Sequence, residues 1–386
     1  MFKRWISLPA HKSCLIIGPR RSGKTTLLKQ RYPDTPYATL DDLDLLDWAK
    51  QDPKGFISHL GDHAVIDEIQ RHPLLTVAVK YAVDNLNARF LMTGSSTLGL
   101  MDAAADTLAG RIEIISLPTA CWGENKGEPT HSIFHETAEL PRIREANRCL
   151  EEALTYGQFP EVLSMQAQDE KKHVLTNYKN TYFTRDLMQL SNIENLDGLL
   201  AVFHHINRSI GSHLEISNFA RESALSHPTA KKYLNALQQT QLTFKLYGYQ
   251  YGPAKRFVKA AKIYAADTGI FSSFNSPVSQ EQRIENFVLA ELEKRRKLGF
   301  IKTDQFYYYK SAGGSEIDLV FEEDHTLYAI EIKHTRRPGP RDFRNLRQFM
   351  RQSQRPVNGF LFYSGDAYDR YEDIRLIPIG ALYRGC

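Results

Sequence analysis

The run Gly18-Pro19-Arg20-Arg21-Ser22-Gly23-Lys24-Thr25 sets two glycines, a lysine and a hydroxyl at the spacing G-x-x-x-x-G-K-[ST]. Glycines let backbone N–H groups wrap around phosphate oxygens, and the helix this run opens adds positive potential at its N-terminus. Lys24 is expected to reach the β- and γ-phosphates of a nucleoside triphosphate, and the Thr25 hydroxyl to ligate Mg2+. Thr26 completes the cradle. Such a site needs an acid at the end of a buried strand, and Ala64-Val65-Ile66-Asp67-Glu68 supplies two. Asp67 would help to hold the metal, and Glu68 would take the proton from the attacking water. Thr93 or Ser95, after the apolar run Phe90-Leu91-Met92, would stand between these acids and the γ-phosphate. Arg111 is the candidate for a contact to the γ-phosphate, in cis or across a subunit interface.

A second constellation lies near the C-terminus. Asp318 and Glu331 are thirteen residues apart, each inside an apolar run, and Lys333 follows Glu331 by two. Alternation along a strand puts Glu316 and Asp318 on one face, and Glu331 and Lys333 on one face of the next strand. A hairpin turning near Glu323-Asp324-His325 brings the two faces together. Asp318 and Glu331 would then ligate Mg2+, with Glu285 on the preceding helix as a further ligand, and Lys333 would position a water against a phosphodiester. The other reading of these charges is a solvated edge strand.

The elements that must position these groups follow from the pattern of the chain. Its 386 residues suit two or three domains, and 42% hydrophobic with 24% charged residues is ordinary globular composition. No apolar run approaches the ~20 residues of a membrane span, and no signal peptide is legible, so a cytoplasmic protein is expected. The net charge of +4 permits nucleic-acid binding without requiring it. Four scattered cysteines point to reduced thiols, and His131 and His135 read as solvated histidines of a linker.

Residues 1–122 alternate strands (Cys14–Ile17, Tyr37–Leu40, Ala64–Asp67, Arg89–Thr93, Ile112–Leu117) with helices, near Leu98–Leu108 among others. This is the pattern of an α/β domain with a parallel sheet. A polar linker over 123–140 follows. Residues 141–275 read as helical, with the cadence of a winged helix-turn-helix at about 200–265. There a helix near Asn218–Ser223 leads to a second helix capped by Ser226, and Leu242–Tyr247 is the candidate wing. Residues 281–386 return to α/β, with a basic helix over Arg341–Arg351 whose arginines share one face.

Gly18-Pro19-Arg20-Arg21-Ser22-Gly23-Lys24-Thr25, Val65-Ile66-Asp67-Glu68-Ile69-Gln70-Arg71, Thr93-Gly94-Ser95-Ser96 and Leu108-Ala109-Gly110-Arg111 together resemble the prokaryotic AAA-type ATPases. More narrowly, they resemble the group with a C-terminal domain of unknown function. The likeness continues in Tyr156-Gly157-Gln158-Phe159-Pro160, Arg185-Asp186, Asp267-Thr268-Gly269 and Glu285-Asn286-Phe287-Val288. The resemblance implies a P-loop NTPase domain using ATP and Mg2+, a winged-helix segment, and a small restriction-endonuclease-like domain. Asp318, Glu331 and Lys333 match the PD-(D/E)xK pattern of the last. The chain departs from the AAA pattern in having no clear helical lid with a second sensor arginine, so ring assembly does not follow.

Two functions fit this reading. One is an ATPase controlling a DNA-binding, nuclease-like C-terminal region. The other is an ATP-dependent switch or assembly protein whose nuclease-like domain is silent and contacts protein partners or a second copy.

Overall fold

The computed structural model describes residues 2–95, 108, 110–135, 142–187, 193, 195–249, 260–274, 278–311 and 313–386. Five short apolar runs form a parallel sheet: β1 (Ser13–Ile17), β2 (Tyr37–Thr39), β3 (His63–Asp67), β4 (Arg89–Gly94) and β5 (Ile112–Ser116). Their order is β2-β3-β4-β1-β5. Every residue of β1 is buried, which explains an apolar run without alternation. β4 lies between β1 and β3, pairing Thr93 with Ile16 and Met92 with Ile66. The end of β4 therefore stands between the phosphate loop and the acids of β3.

Helices α1 (Lys24–Arg31), α2 (Leu43–Gln51), α3 (Pro53–Leu60) and α4 (Leu75–Leu86) connect these strands. Asp42 caps α2 by accepting from Asp44 N and Leu45 N, and Asp52 caps α3, which opens on a proline. The helix expected near Leu98–Leu108 falls outside the described residues, apart from Leu108.

The middle region is helical, as its periodicity requires: α5 (Ile143–Tyr156), α6 (Pro160–Leu163), α7 (Gln168–Tyr178), a π-helical stretch (Lys179–Leu187), α8 (Leu196–Arg208), α9 (Ile216–Glu222) and α10 (His227–Gln239). Ser226 caps α10, its hydroxyl accepting from Thr229 N at 3.3 Å. An antiparallel pair follows, β6 (Thr243–Gly248) and β7 (Lys262–Ala265). The sequence pattern gave no reason to expect β7.

The C-terminal region comprises α11 (Thr268–Ser272), α12 (Gln280–Lys297), β8 (Tyr307–Lys310), β9 (Glu316–Glu323), β10 (Thr326–Lys333), α13 (Arg344–Gln352), β11 (Val357–Tyr363), β12 (Asp369–Tyr371) and β13 (Ile374–Pro378). A Ser279–Gln282 capping box starts α12. β6 pairs in parallel with β8, so the hairpin joins the C-terminal strands in one eight-stranded sheet, β12-β13-β11-β10-β9-β8-β6-β7. One apolar core runs beneath both regions, from Tyr156 and Phe203 through Phe287 to Phe360, while the first sheet has its own.

Two expectations need correction. Residues 123–135 are no loose linker: Glu124 is fully buried, His131 bridges to Gly385, and Ile133 N donates to Cys386 O at 2.9 Å. His131 is accordingly half-buried, its Nε2 2.8 Å from Ala381 O. The basic helix begins at Arg344, because Pro338 and Pro340 frame a turn in which Gly339 N donates to Asp342. Arg341 therefore lies before the helix, yet it lines one surface groove with Arg344, Arg347 and Arg351.

Candidate functional site

The phosphate loop is the connection from β1 to α1. Gly23 takes φ 93° at the start of α1, and a Cβ on Gly18 would lie 2.1 Å from Leu117 O. Both positions therefore demand glycine. Lys24 is almost wholly buried, its ammonium donating to Gly18 O at 2.9 Å and Pro19 O at 3.0 Å. Burial pulls its pKa down to about 8, against the opposing pull of the Glu68 and Asp67 carboxylates. The Ser22 hydroxyl is buried without a hydrogen-bond partner. A loop with an unmatched hydroxyl and a lysine folded onto its own carbonyls has the donors that phosphate oxygens take.

Asp67 is met by three hydroxyls. Thr25 donates to Oδ2 at 2.8 Å, Tyr37 donates to the same oxygen at 2.6 Å, and Thr93 donates to Oδ1. Burial, and then the bond to Asp67, hold the Tyr37 phenol well above its usual range. The Thr93 oxygen also accepts from Glu68 N at 3.1 Å. Glu68 itself adopts a left-handed φ of 58°, and its carboxylate contacts Ser95 at 3.3 Å and the Gln70 amide. Gln70 donates in turn to Ser95 Oγ at 2.9 Å. Thr93 and Ser95 thus share the intermediate position, one on each acid. Thr25 and Asp67 form a donor set suited to Mg2+.

Arg111 pairs with Asp84 on α4 at 2.6 Å, with both side chains about one-third exposed. Arg20 is exposed, while Arg21 pairs with Glu161 at 3.3 Å and lies over the Tyr178 ring. Sequence reading missed three supports of the site: Tyr37, Gln70 and Arg4. Arg4 donates to Ser22 O, Pro118 O and Glu124, bracing the loop from the N-terminus. Only Gln70, two residues from Glu68, had a local signal.

At the C-terminal constellation, β9 and β10 pair as a hairpin through Ile330 and Leu319. Asp318 accepts from Ile332 N at 2.8 Å. Glu331 is 1% exposed. It accepts from Asn345 on α13 at 3.3 Å and from Lys333 at 3.3 Å. Burial, and next the adjacent Asp318 carboxylate, raise Glu331 well above the usual carboxylate range. Glu285 is pushed up to about 7, by burial first and by Asp318 second, while Lys262 and Tyr264 oppose the shift. Burial works against the charge of Lys333, but Glu331 and Asp318 outweigh it and hold its pKa high. These groups therefore lie in one another's field. Among the described residues, however, no set of three or more His, Cys, Asp or Glu is arranged to hold a metal ion. Glu285 is occupied by Tyr264, which donates at 2.8 Å, and does not complete the expected three-carboxylate cradle. Asn345, Tyr264 and Lys262 were not foreseen, since each arrives from a distant element.

The parallel sheet, the phosphate loop and the paired acids are consistent with a P-loop NTPase domain. Residues 10–125 match the family model described as an AAA domain. Residues 147–281 match a domain of unknown function (DUF8612), and residues 281–382 match another (DUF4143). An uncharacterised protein of Mycobacterium tuberculosis is 27% identical over 342 residues, covering 84% of this chain and 70% of its own. One of Methanocaldococcus jannaschii is 24% identical over 345 residues, covering 84% and 76%. The solved structure of a signal-transduction ATPase with numerous domains and a tetratricopeptide-repeat sensor, from Pyrococcus horikoshii, aligns at 10% identity and a TM-score of 0.22. That alignment covers 77% of this chain and 46% of the other, so the chain spans just under half that structure's length. An AAA domain implies use of ATP, and no described helix is long and apolar enough to cross a membrane.

Proposed function

We propose that the protein hydrolyses ATP at the phosphate loop and couples turnover to a nucleic-acid-binding, nuclease-like C-terminal region. On binding, Lys24 leaves the Gly18 and Pro19 carbonyls for the β- and γ-phosphates, while the backbone from Pro19 to Gly23 wraps the phosphate oxygens. Glu68 takes a proton from the attacking water, and Gln70 and Ser95 fix its carboxylate. Thr25 and Asp67 would hold Mg2+, which neutralises phosphate charge when bound. Ser95 and Arg111 remain candidates for the γ-phosphate.

One observation carries the nuclease-like reading: α12-β8-β9-β10-α13-β11 sets Asp318, Glu331 and Lys333 on adjacent strands of one hairpin. Asp318 and Glu331 would hold a divalent ion there, which supplies Lewis acidity when bound. Lys333 orients the water, and Glu285 sets the local field. Helices α8 to α10 with the β6–β7 hairpin support a winged helix, and α13 supplies Arg344, Arg347 and Arg351 for phosphates.

A second reading is favoured by the near-complete burial of Glu331 and the lack of a three-ligand set among the described residues. On that reading the domain is silent, and ATP switches protein contacts or self-association. Labelled single- and double-stranded DNA incubated with Mg2+ or Mn2+, with and without ATP, separates the two. Cutting that disappears in Lys333→Ala supports the nuclease; no cutting under any condition leaves the switch.

A further inference from the structure

The acids of the C-terminal constellation are not arranged as a metal cradle among the described residues, and a lysine from outside the β9–β10 hairpin stands among them. Lys262 opens β7, and in strand order β6 and β8 separate β7 from β9. The side chain crosses that gap over the face of Tyr308 on β8. Its ammonium lies 5.5 Å from the ring centroid and contacts Glu316 Oε1. The side chain is 4% exposed. A lysine so deeply buried must have its charge met.

Alternation identifies the carboxylates that meet it. Along β7, Lys262 and Tyr264 share a face, and Tyr264 donates to Glu285 at 2.8 Å. Along β9, Glu316 and Asp318 share a face. The ammonium therefore enters the side of the constellation walled by Glu285, Glu316 and Asp318. Burial works against its charge, but Glu285, Asp318 and Glu316 outweigh burial and hold its pKa above the usual value. Burial likewise opposes ionisation of Glu316, yet Lys262 holds that carboxyl below its usual range.

The fold fixes this lysine in place from several directions. On one edge of β7, Lys262 pairs with Leu246 of β6. His213 forms a further bridge to Lys262, and Leu214 N donates to Ala261 O at 2.8 Å. Asn286 on α12, next to Glu285, bonds Ala265 N at 2.8 Å and Ala265 O at 3.3 Å. A second lysine, Lys310, stands 3.5 Å from Glu316 but is 40% exposed, and so serves the solvent side of that carboxylate.

We propose that Lys262 is the resident cation of this constellation, its ammonium taking the charge-balancing place of a divalent ion among Glu285, Glu316 and Asp318. A divalent ion can occupy this side only if Lys262 leaves it. Removing the lysine then has a signature that removing an ordinary buried ion pair lacks: a divalent ion replaces it.

Full-length protein free of nucleotide is titrated with Mn2+, the free ion being counted by electron paramagnetic resonance. Thermal unfolding is followed in parallel with Mn2+ and with chelator. Every variant keeps the same phosphate loop, so differences read the C-terminal site. Lys262→Met keeps an apolar stem and removes the charge. It is expected to unfold at a lower temperature than the wild type in chelator and to recover with Mn2+. It should also bind one Mn2+ per chain more than the wild type. Lys262→Arg keeps the charge and should keep the wild-type stoichiometry. If Lys262→Met does not fold, Lys262→Met combined with Glu316→Gln removes both charges of the pair, and the extra ion is expected at Glu285 and Asp318. Equal Mn2+ stoichiometry in the wild type and whichever of these variants folds overturns the proposal, leaving a plain buried ion pair. An extra ion bound by Lys262→Arg overturns it too. DNA cleavage is a separate readout: a wild type that cuts nothing beside a Lys262→Met protein that gains an ion would sink the nuclease reading and support the resident lysine.

Discussion

The molecule builds two acid–lysine sites from opposite materials. At the phosphate loop Asp67 is surrounded by the hydroxyls of Thr25, Tyr37 and Thr93, Glu68 is met by Gln70 and Ser95, and Lys24 rests on backbone carbonyls. At the C-terminal constellation burial makes the charge of Glu285 and Glu331 unwelcome, and the Asp318 carboxylate presses on each. Neutral donors hold the first site ready with little internal repulsion. The second stores repulsion that a divalent cation or a proton relieves.

The sharpest way to break this contrast is Glu68→Gln. It should lower ATP turnover by about 10²–10⁴-fold while leaving ATP affinity nearly unchanged. Steady-state kinetics beside analogue binding reads this directly, and turnover at the wild-type rate would remove Glu68 as the base.

The next effect is on stability against pH, measured by urea unfolding with divalent ions chelated. Glu285 is raised from 4.5 to about 7 on folding. A raised carboxyl contributes stability that is complete below its unfolded value and is lost as pH rises through its folded value. Wild-type stability should therefore fall between pH 4.5 and about 7. Glu285→Gln keeps an acceptor for Tyr264 and should flatten that fall, gaining about 2–3 kcal/mol at pH 8. No difference between the two profiles would mean that burial and the Asp318 carboxylate do not raise Glu285 as described.

Thr93→Val tests the hydroxyl arrangement. It leaves Asp67 Oδ1 and Glu68 N without their shared partner, and should cost about 1–3 kcal/mol by the same unfolding assay. The smallest expected effect concerns the basic helix. Arg344→Ala should reduce the salt slope of DNA binding by about 1 and weaken all sequences alike; an unchanged slope would remove α13 from the interface.

The phosphate loop was legible because its ligands are contiguous: Gly18 to Thr25 carry their own geometry, and β3 ends on Asp67 wherever the strand is placed. The five strands of the first sheet were legible for a related reason, since each is a short apolar run with polar punctuation. Tyr37 was not, because its hydroxyl reaches Asp67 only after β2 pairs with β3. Arg4 was hidden for the same cause, lying far along the chain from the carbonyls it holds. In the C-terminal region Asp318, Glu331 and Lys333 could be paired from alternation alone. The Asn345 and Tyr264 contacts depend on how α13 and β7 pack, which no local spacing encodes. The start of the basic helix was set too early, because a proline-framed turn, not helical periodicity, governs residues 338–342.

The join between β6 and β8 bears on how such chains can be taken apart. Tyr247 pairs with Tyr307, Gly248 with Tyr308, and Tyr249 N donates to Tyr308 O at 2.6 Å. The family boundary at residue 281 falls on the C-terminal side of β7, yet the sheet runs across it. A chain severed there would leave a raw strand edge on each fragment, and such edges seek partners in other molecules. A C-terminal fragment that keeps this sheet whole must include the β6–β7 hairpin, and so must start before Thr243 rather than at the family boundary.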